Sequence, residues 1–258
     1  MTPRPRRLIL SAAACALVLA CAPAGRAQFT ITTGTDYSTG HYGEGDKTKV
    51  FSITNGVQYE HGRWTLKLTT PYLHLSGPGT VVPGIGRVQK VTLPPRRDES
   101  GYGDTTLTAS YVAHQTADGL FTVAVGGEVK FGTADSGKGL GTGQDDFTVH
   151  TDGYWTHGQL TTFVTLGYRK LGDPPGSDLL NPIYGTVGWS FQANKETSFG
   201  LMYSASEKSS ASSSSQAEVI AFATRKFGAA WNSQLYLMAG TTKASPDLGG
   251  GLSLSRVF

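Results

Sequence analysis

The sequence predicts an all-β fold, a transmembrane antiparallel up-and-down β-barrel of about 12 strands around a polar interior. Three observations carry that prediction. The chain opens with a secretory leader, the rest alternates apolar and polar residues with period two, and its links are by turns short and long.

The leader comes first. Pro3-Arg4-Pro5-Arg6-Arg7 is a positive start, and Leu8 to Ala20 is an apolar run of 13 residues. That run is too short to span a bilayer as a helix. Gly25 and Ala27 then suit the small subsites of signal peptidase. We therefore expect residues 1–27 to be a cleaved signal peptide and 28–258 to be one outer-membrane barrel. Cys21 follows Val18-Leu19-Ala20, whose bulky Leu is a poor match to a lipobox.

Both cysteines, Cys15 and Cys21, lie in the leader, so the mature chain has no disulfide. Four of the 22 basic residues lie there too, which leaves 18 against 19 acids, a net charge of −1. That balance gives no reason to expect a nucleic-acid partner. No long apolar segment follows residue 20, which excludes a helical membrane protein but not a barrel.

Alternation marks the strands. Phe51, Ile53, Val57 and Tyr59 share one parity, with Ser52, Thr54, Gly56, Gln58 and Glu60 on the other. Phe121, Val123, Val125, Val129 and Phe131 oppose Thr122, Ala124, Gly126, Glu128 and Lys130. The pattern predicts strands near 29–39, 50–61, 64–76, 103–115, 120–133, 145–157, 160–172, 182–194, 197–209, 217–228, 233–244 and 250–258.

The links divide into two sets. Gly62-Arg63, 116–119, Gly158-Gln159, Lys195-Glu196 and 229–232 are short; 40–49, 77–102, 134–144, 173–181 and 210–216 are longer. Short periplasmic turns and long extracellular loops are the outer-membrane arrangement. A soluble sandwich or lipocalin-like barrel gives the same alternation with the faces exchanged. Three features select the membrane: a regular meander, aromatics near strand ends (Tyr59, Trp64, Tyr72, Tyr111, Trp155, Tyr168, Trp189), and a final strand ending on Phe258. Expected partners are outer-membrane lipid and, through the Phe258 strand, the barrel-assembly machinery of a Gram-negative bacterium. Arg256 departs from the apolar residue usual near such an end.

Several stretches resemble the outer-membrane transporter family named for the MetA pathway of phenol degradation. They are Gly101-Tyr102-Gly103-Asp104-Thr105-Thr106-Leu107, Lys138 through Phe147, Gly172-Asp173-Pro174-Pro175-Gly176, and Ser245-Pro246-Asp247 through Phe258. The likeness covers the chain from about residue 100 onward. It implies a barrel and, by the family name, aromatic solutes; such loop motifs specify fold better than substrate.

Chemical motifs are few. Ser136 to Gly143 is glycine-rich but lacks the phosphate-loop spacing. The six histidines are dispersed, so no metal site and no cofactor is expected. His150 with Asp152 is the nearest approach to a catalytic pair, against the simpler reading of a polar lumenal network, and no enzyme is expected.

Hairpin geometry places a candidate lumenal cluster. The turn at Gly158-Gln159 pairs Trp155 with Thr162, Asp152 with Thr165, His150 with Gly167 and Thr148 with Arg169. Parity then allows Glu128 to face His150, with Lys130 one pleat higher. Glu128, Lys130, His150, Asp152 and Arg169 would line one wall, and Glu60 with Lys67 would form a diagonal pair nearer the periplasm. The near-balance of signs predicts weak ion selectivity or a site for a polar group. Residues 77–102 read either as a gate, or as a loop packed across the barrel mouth or a two-stranded extension above it. The expected function is passage or binding of small solutes, with a non-conducting structural or surface-interaction barrel second and an outer-membrane enzyme third.

Overall fold

A computed structural model describes residues 27–88, 96–174, 176–177 and 179–258. The expected leader up to residue 26 lies outside the described residues, as do Lys90, Val91, Leu93, Pro94, Pro95 and Pro175.

Fifteen strands follow in order: β1 (Gln28–Gly40), β2 (Thr48–His61), β3 (Trp64–Pro78), β4 (Val81–Val82), β5 (Gly86–Arg87), β6 (Arg96–Tyr102), β7 (Thr105–Gln115), β8 (Phe121–Phe131), β9 (Asp146–His157), β10 (Leu160–Lys170), β11 (Ile183–Gln192), β12 (Thr197–Ser206), β13 (Gln216–Phe227), β14 (Trp231–Gly240) and β15 (Leu248–Val257). All but β4, β5 and β6 form a closed twelve-stranded barrel. Each strand is antiparallel to its neighbours, and β1 closes the ring against β15. No described segment is helical.

The alternation sets the faces. Val125, Leu166, Val187, Leu237 and Leu252 point outward and are exposed, whereas Thr122, Thr165, Ser190, Gln234 and Ser253 point inward and are buried. Leu166 is 62 % exposed and its neighbour Thr165 3 %. A continuous apolar exterior would cost about 25 cal/mol per Å² in water, and nothing of the kind in hydrocarbon. Lipid is therefore the solvent this outer face fits.

Aromatic rings gather at the ends of that face. Near the short turns, Phe29 meets Tyr59 at 4.9 Å and Trp64 meets Tyr111 at 4.8 Å. At the opposite end Tyr72 and Tyr102 pack edge-on at 5.4 Å. Arg256 belongs to the first group. Its guanidinium lies 5.4 Å from the Trp231 ring and 4.8 Å from that of Phe258. A cation held over aromatic rings at a strand end reaches the polar interface without entering hydrocarbon.

Gly62 (φ 59°) and Gly158 (φ 61°) supply the positive φ that two-residue hairpins need at their first central position. The link from β14 to β15 runs over 241–247, longer than the gap of 245–249 left between the expected strands 233–244 and 250–258. The segment 77–102 includes a two-stranded extension, one of the readings its sequence allowed. Its distal part forms β6, which pairs with the outer half of β3 in the register Tyr72–Tyr102 to Pro78–Arg96. Arg96-Arg97-Asp98-Glu99 shows no apolar alternation because this stretch of strand lies beyond the aromatic pair and faces no lipid.

Candidate functional site: the lumen

Cross-strand register stacks the inward side chains in rows. The upper row runs Asp152, Thr165, Thr186, Ser204 and Glu218 from β9 to β13. The next runs Tyr154, Phe163, Gly188, Met202, Ile220 and Met238. Below it come Thr161, Ser190, Gly200, Phe222, Tyr236, Gly251, Asp36 and Ser52. Gln192, Ser198, Thr224, Gln234 and Ser253 follow towards the short turns.

Two of these rows overturn the expectation of a uniformly polar interior. Phe163, Met202, Ile220, Phe222, Tyr236 and Met238 form one buried apolar cluster inside the lumen, with Tyr154 packed against it. Glycines opposite make the room. A Cβ at Gly188 would stand 2.6 Å from both Met202 and the Phe163 ring, and one at Gly200 would run into the Phe222 ring. The polar end of this belt is anchored across glycine as well. Tyr236 Oη donates to Asp36 Oδ1 at 2.6 Å, over Gly251, and Ser52 donates to Asp36 Oδ2 at 3.2 Å. The sequence does carry the signal: Ile220-Ala221-Phe222 and Tyr236-Leu237-Met238 are apolar on both parities, the mark of a strand buried on both faces.

The β9–β10 hairpin keeps the expected register, with Asp152 opposite Thr165, His150 opposite Gly167 and Thr148 opposite Arg169. The register across the longer β8–β9 link differs by two residues. Gly126, not Glu128, faces His150; Glu128 faces Thr148, and Lys130 faces Asp146. A slip of two preserves every facing, so parity could not detect it. The choice follows from size. The His150 ring occupies the space a Cβ at 126 would need, and Ser110 Oγ lies 2.9 Å from that same point.

His150 and Asp152 are buried together, with Nε2 3.5 Å from Asp152 Oδ2, and Thr165 Oγ1 donates to Asp152 Oδ1 at 2.6 Å. The acid thus meets Nε2, the nitrogen that would have to activate Ser110 in a Ser-His-Asp relay. Glu128 accepts from Thr108 Oγ1 at 3.1 Å. Lys130 is doubly ion-paired, to Asp104 at 2.7 Å and Asp146 at 3.0 Å. Asp104 also takes the Ala134 amide, and Asp146 the Gly172 amide. Lys130 therefore sits at the base of two outer loops, away from His150. On the adjoining wall Lys67 faces Gln58 on one side and Thr108 on the other; Gln58 donates to Glu60 at 2.6 Å, and Glu60 and Lys67 are diagonal neighbours.

Residues 79–88 fold into the mouth as a small hairpin closed by β4 and β5. Val82, Ile85 and Val88 pack on Leu171 and Leu179. The buried Arg97 guanidinium donates to the carbonyls of Gly79 (3.3 Å) and Val81. Arg87 pairs with Glu44 at 2.7 Å, and Ser210 Oγ donates to Arg87 O at 2.7 Å. Arg169 reaches the hairpin tip, Nη1 donating to Gly84 O at 3.4 Å, with its guanidinium 5.6 Å from the Tyr184 ring. Between hairpin and wall lies a cavity of about 350 Å³, which Arg169, Tyr184, Glu218, Val81, Val82 and Met238 help to line. Among the described residues no group of His, Cys, Asp and Glu is arranged to hold a metal ion.

A closed twelve-stranded barrel with a lipid-facing exterior and inward-folded loops defines the class: an outer-membrane-type β-barrel. Solved structures agree on the fold. The chain is similar to the COG4313 outer membrane channel from Pseudomonas putida F1, with a TM-score of 0.68 and 14 % identity over 92 % of this chain and 97 % of that one. It is also similar to the KdgM porin (TM-score 0.53, 10 % identity, 89 % and 99 % covered) and the NanC porin (0.51, 8 %, 88 % and 98 %). No family profile matches the sequence, and no curated protein does.

Proposed function

We propose that the mature chain resides in the outer membrane, after cleavage of residues 1–27, and passes small solutes by porin-like diffusion. The observation that carries this is the cavity of about 350 Å³ at the lumenal mouth, lined by both charged and apolar side chains. The similar barrels described as channels and porins support it at the level of fold. The stretches that resemble the phenol-degradation family favour aromatic or hydrophobic solutes. In this reading the chain is not an enzyme. His150 and Asp152 solvate a packed wall, and the β15 strand ending at Phe258 engages the barrel-assembly machinery.

One observation favours a second reading. The buried belt of Phe163, Met202, Ile220, Phe222, Tyr236 and Met238 narrows the lumen, as in a non-conducting structural or surface-interaction barrel. Liposome swelling separates the two. Refolded residues 28–258 that migrate heat-modifiably on gels should admit small neutral solutes at measurable rates. Correctly folded protein that neither swells liposomes nor conducts in planar bilayers would be the plugged barrel.

A further inference from the structure

The cavity beneath the hairpin is chemically lopsided. Arg169 projects into it from β10, and among the described residues no carboxylate pairs with its guanidinium. Its described contacts are the 3.4 Å hydrogen bond to Gly84 O, the Pro182 carbonyl taken by its own amide, and the Tyr184 ring. A guanidinium carries five donors in a planar fork that matches a carboxylate. One long bond to a neutral carbonyl leaves most of that fork unused. Apolar side chains flank it: Val81 and Val82 from the hairpin, and Met238, which joins the cavity to the lumenal belt below. Glu218 stands on β13, across the cavity from β10.

We propose that this cavity is a binding compartment for small monocarboxylates with an apolar body, in which Arg169 receives the carboxylate. The proposal rests on the solute-passage reading and names its solute class. The apolar part lies against Val81, Val82 and Met238. Glu218 repels a second negative charge, so dicarboxylates are disfavoured. The cavity volume is at the small end of the roughly 300–1,000 Å³ usual for ligand pockets, which limits the solute to compact molecules.

The test is titration calorimetry on the full mature chain in detergent, with benzoate, its neutral counterpart benzyl alcohol, and terephthalate. Benzoate should bind, and Arg169→Gln should weaken it about tenfold or more, the size of a lost charge-assisted pair. Arg169→Lys should fall between, since it keeps charge without the fork. Benzyl alcohol should bind weakly and equally to all three. Terephthalate should bind more weakly than benzoate, and Glu218→Gln should narrow that difference. Val82→Trp, which adds bulk to the compartment from the hairpin side and leaves Arg169 unsubstituted, should abolish benzoate binding and covers the case in which an Arg169 variant does not fold. No benzoate binding to the native chain, or equal binding to Arg169→Gln, overturns the proposal. Liposome swelling stays a separate readout: binding without swelling sinks the channel reading and leaves the compartment, whereas swelling without Arg169-dependent binding does the reverse.

Discussion

Single residues decide how tightly the lumen packs. Gly126 is the clearest case, because the His150 ring and Ser110 Oγ crowd the place where a side chain would start. Gly126→Ala should force the His150–Asp152–Thr165 group apart, at a cost of about 1–3 kcal/mol from overpacking. A lowered urea midpoint for unfolding from detergent would show it; an unchanged midpoint would mean the ring swings away freely. Lys130 is a different kind of residue from its sequence neighbours. Its two acid partners are nearly buried, so Lys130→Gln strands both of them. Removing one partner of a buried pair costs about 3–5 kcal/mol. The loss should appear as faster proteolysis of the loops at 132–145 and 171–182, ahead of any change in ion selectivity.

At the scale of elements, the short turns and the long loops do different work. The turn between β7 and β8 is held by Asp118, which accepts from Thr116 Oγ1 at 2.6 Å and from the Leu120 amide at 3.0 Å. These donors, the Thr116 hydroxyl first, hold the Asp118 carboxyl below its ordinary range. Its help to the turn is therefore present above the ordinary carboxylate range and lost as pH falls through the lowered value. Leu120 amide exchange, corrected for intrinsic rate, should speed up over that acid range, and Asp118→Ala should remove the pH dependence. The hairpin at 79–88 belongs to the long loops. Replacing it with a Gly-Ser-Gly link should raise single-channel conductance several-fold if it obstructs the mouth; an equal conductance would place the barrier at the apolar belt alone.

For the whole molecule, the decisive property is which face meets lipid. Spin labels at Val125, Leu166 and Val187 should contact a lipid-soluble relaxation agent, whereas labels at Thr122, Thr165 and Ser190 should not. The inward positions should also react slowly with water-soluble thiol reagents, because their side chains are buried. Rapid reaction at Thr165 or Ser190 would show that the belt opens readily. The combination explains how one barrel holds both charged groups and a hydrophobic constriction. Polar rows lie above and below the belt, so water can fill both ends while the middle favours apolar groups.

The sequence by itself determined what depends on near neighbours. Alternation assigned the faces, because side chains on a strand change sides at every residue. The two-residue turn at Gly158 fixed the β9–β10 register, because so tight a hairpin permits no slip. The tertiary structure decided everything that a long loop separates. It moved Gly126 to face His150, because a long link holds parity but not register. It brought Asp104 to Lys130 and folded Val81 and Val82 under Arg97, contacts between segments with no local signature. It also put Phe163, Phe222 and Met238 into one belt. Each strand shows only its own apolar residues, and a lumenal cluster exists only once the ring has closed.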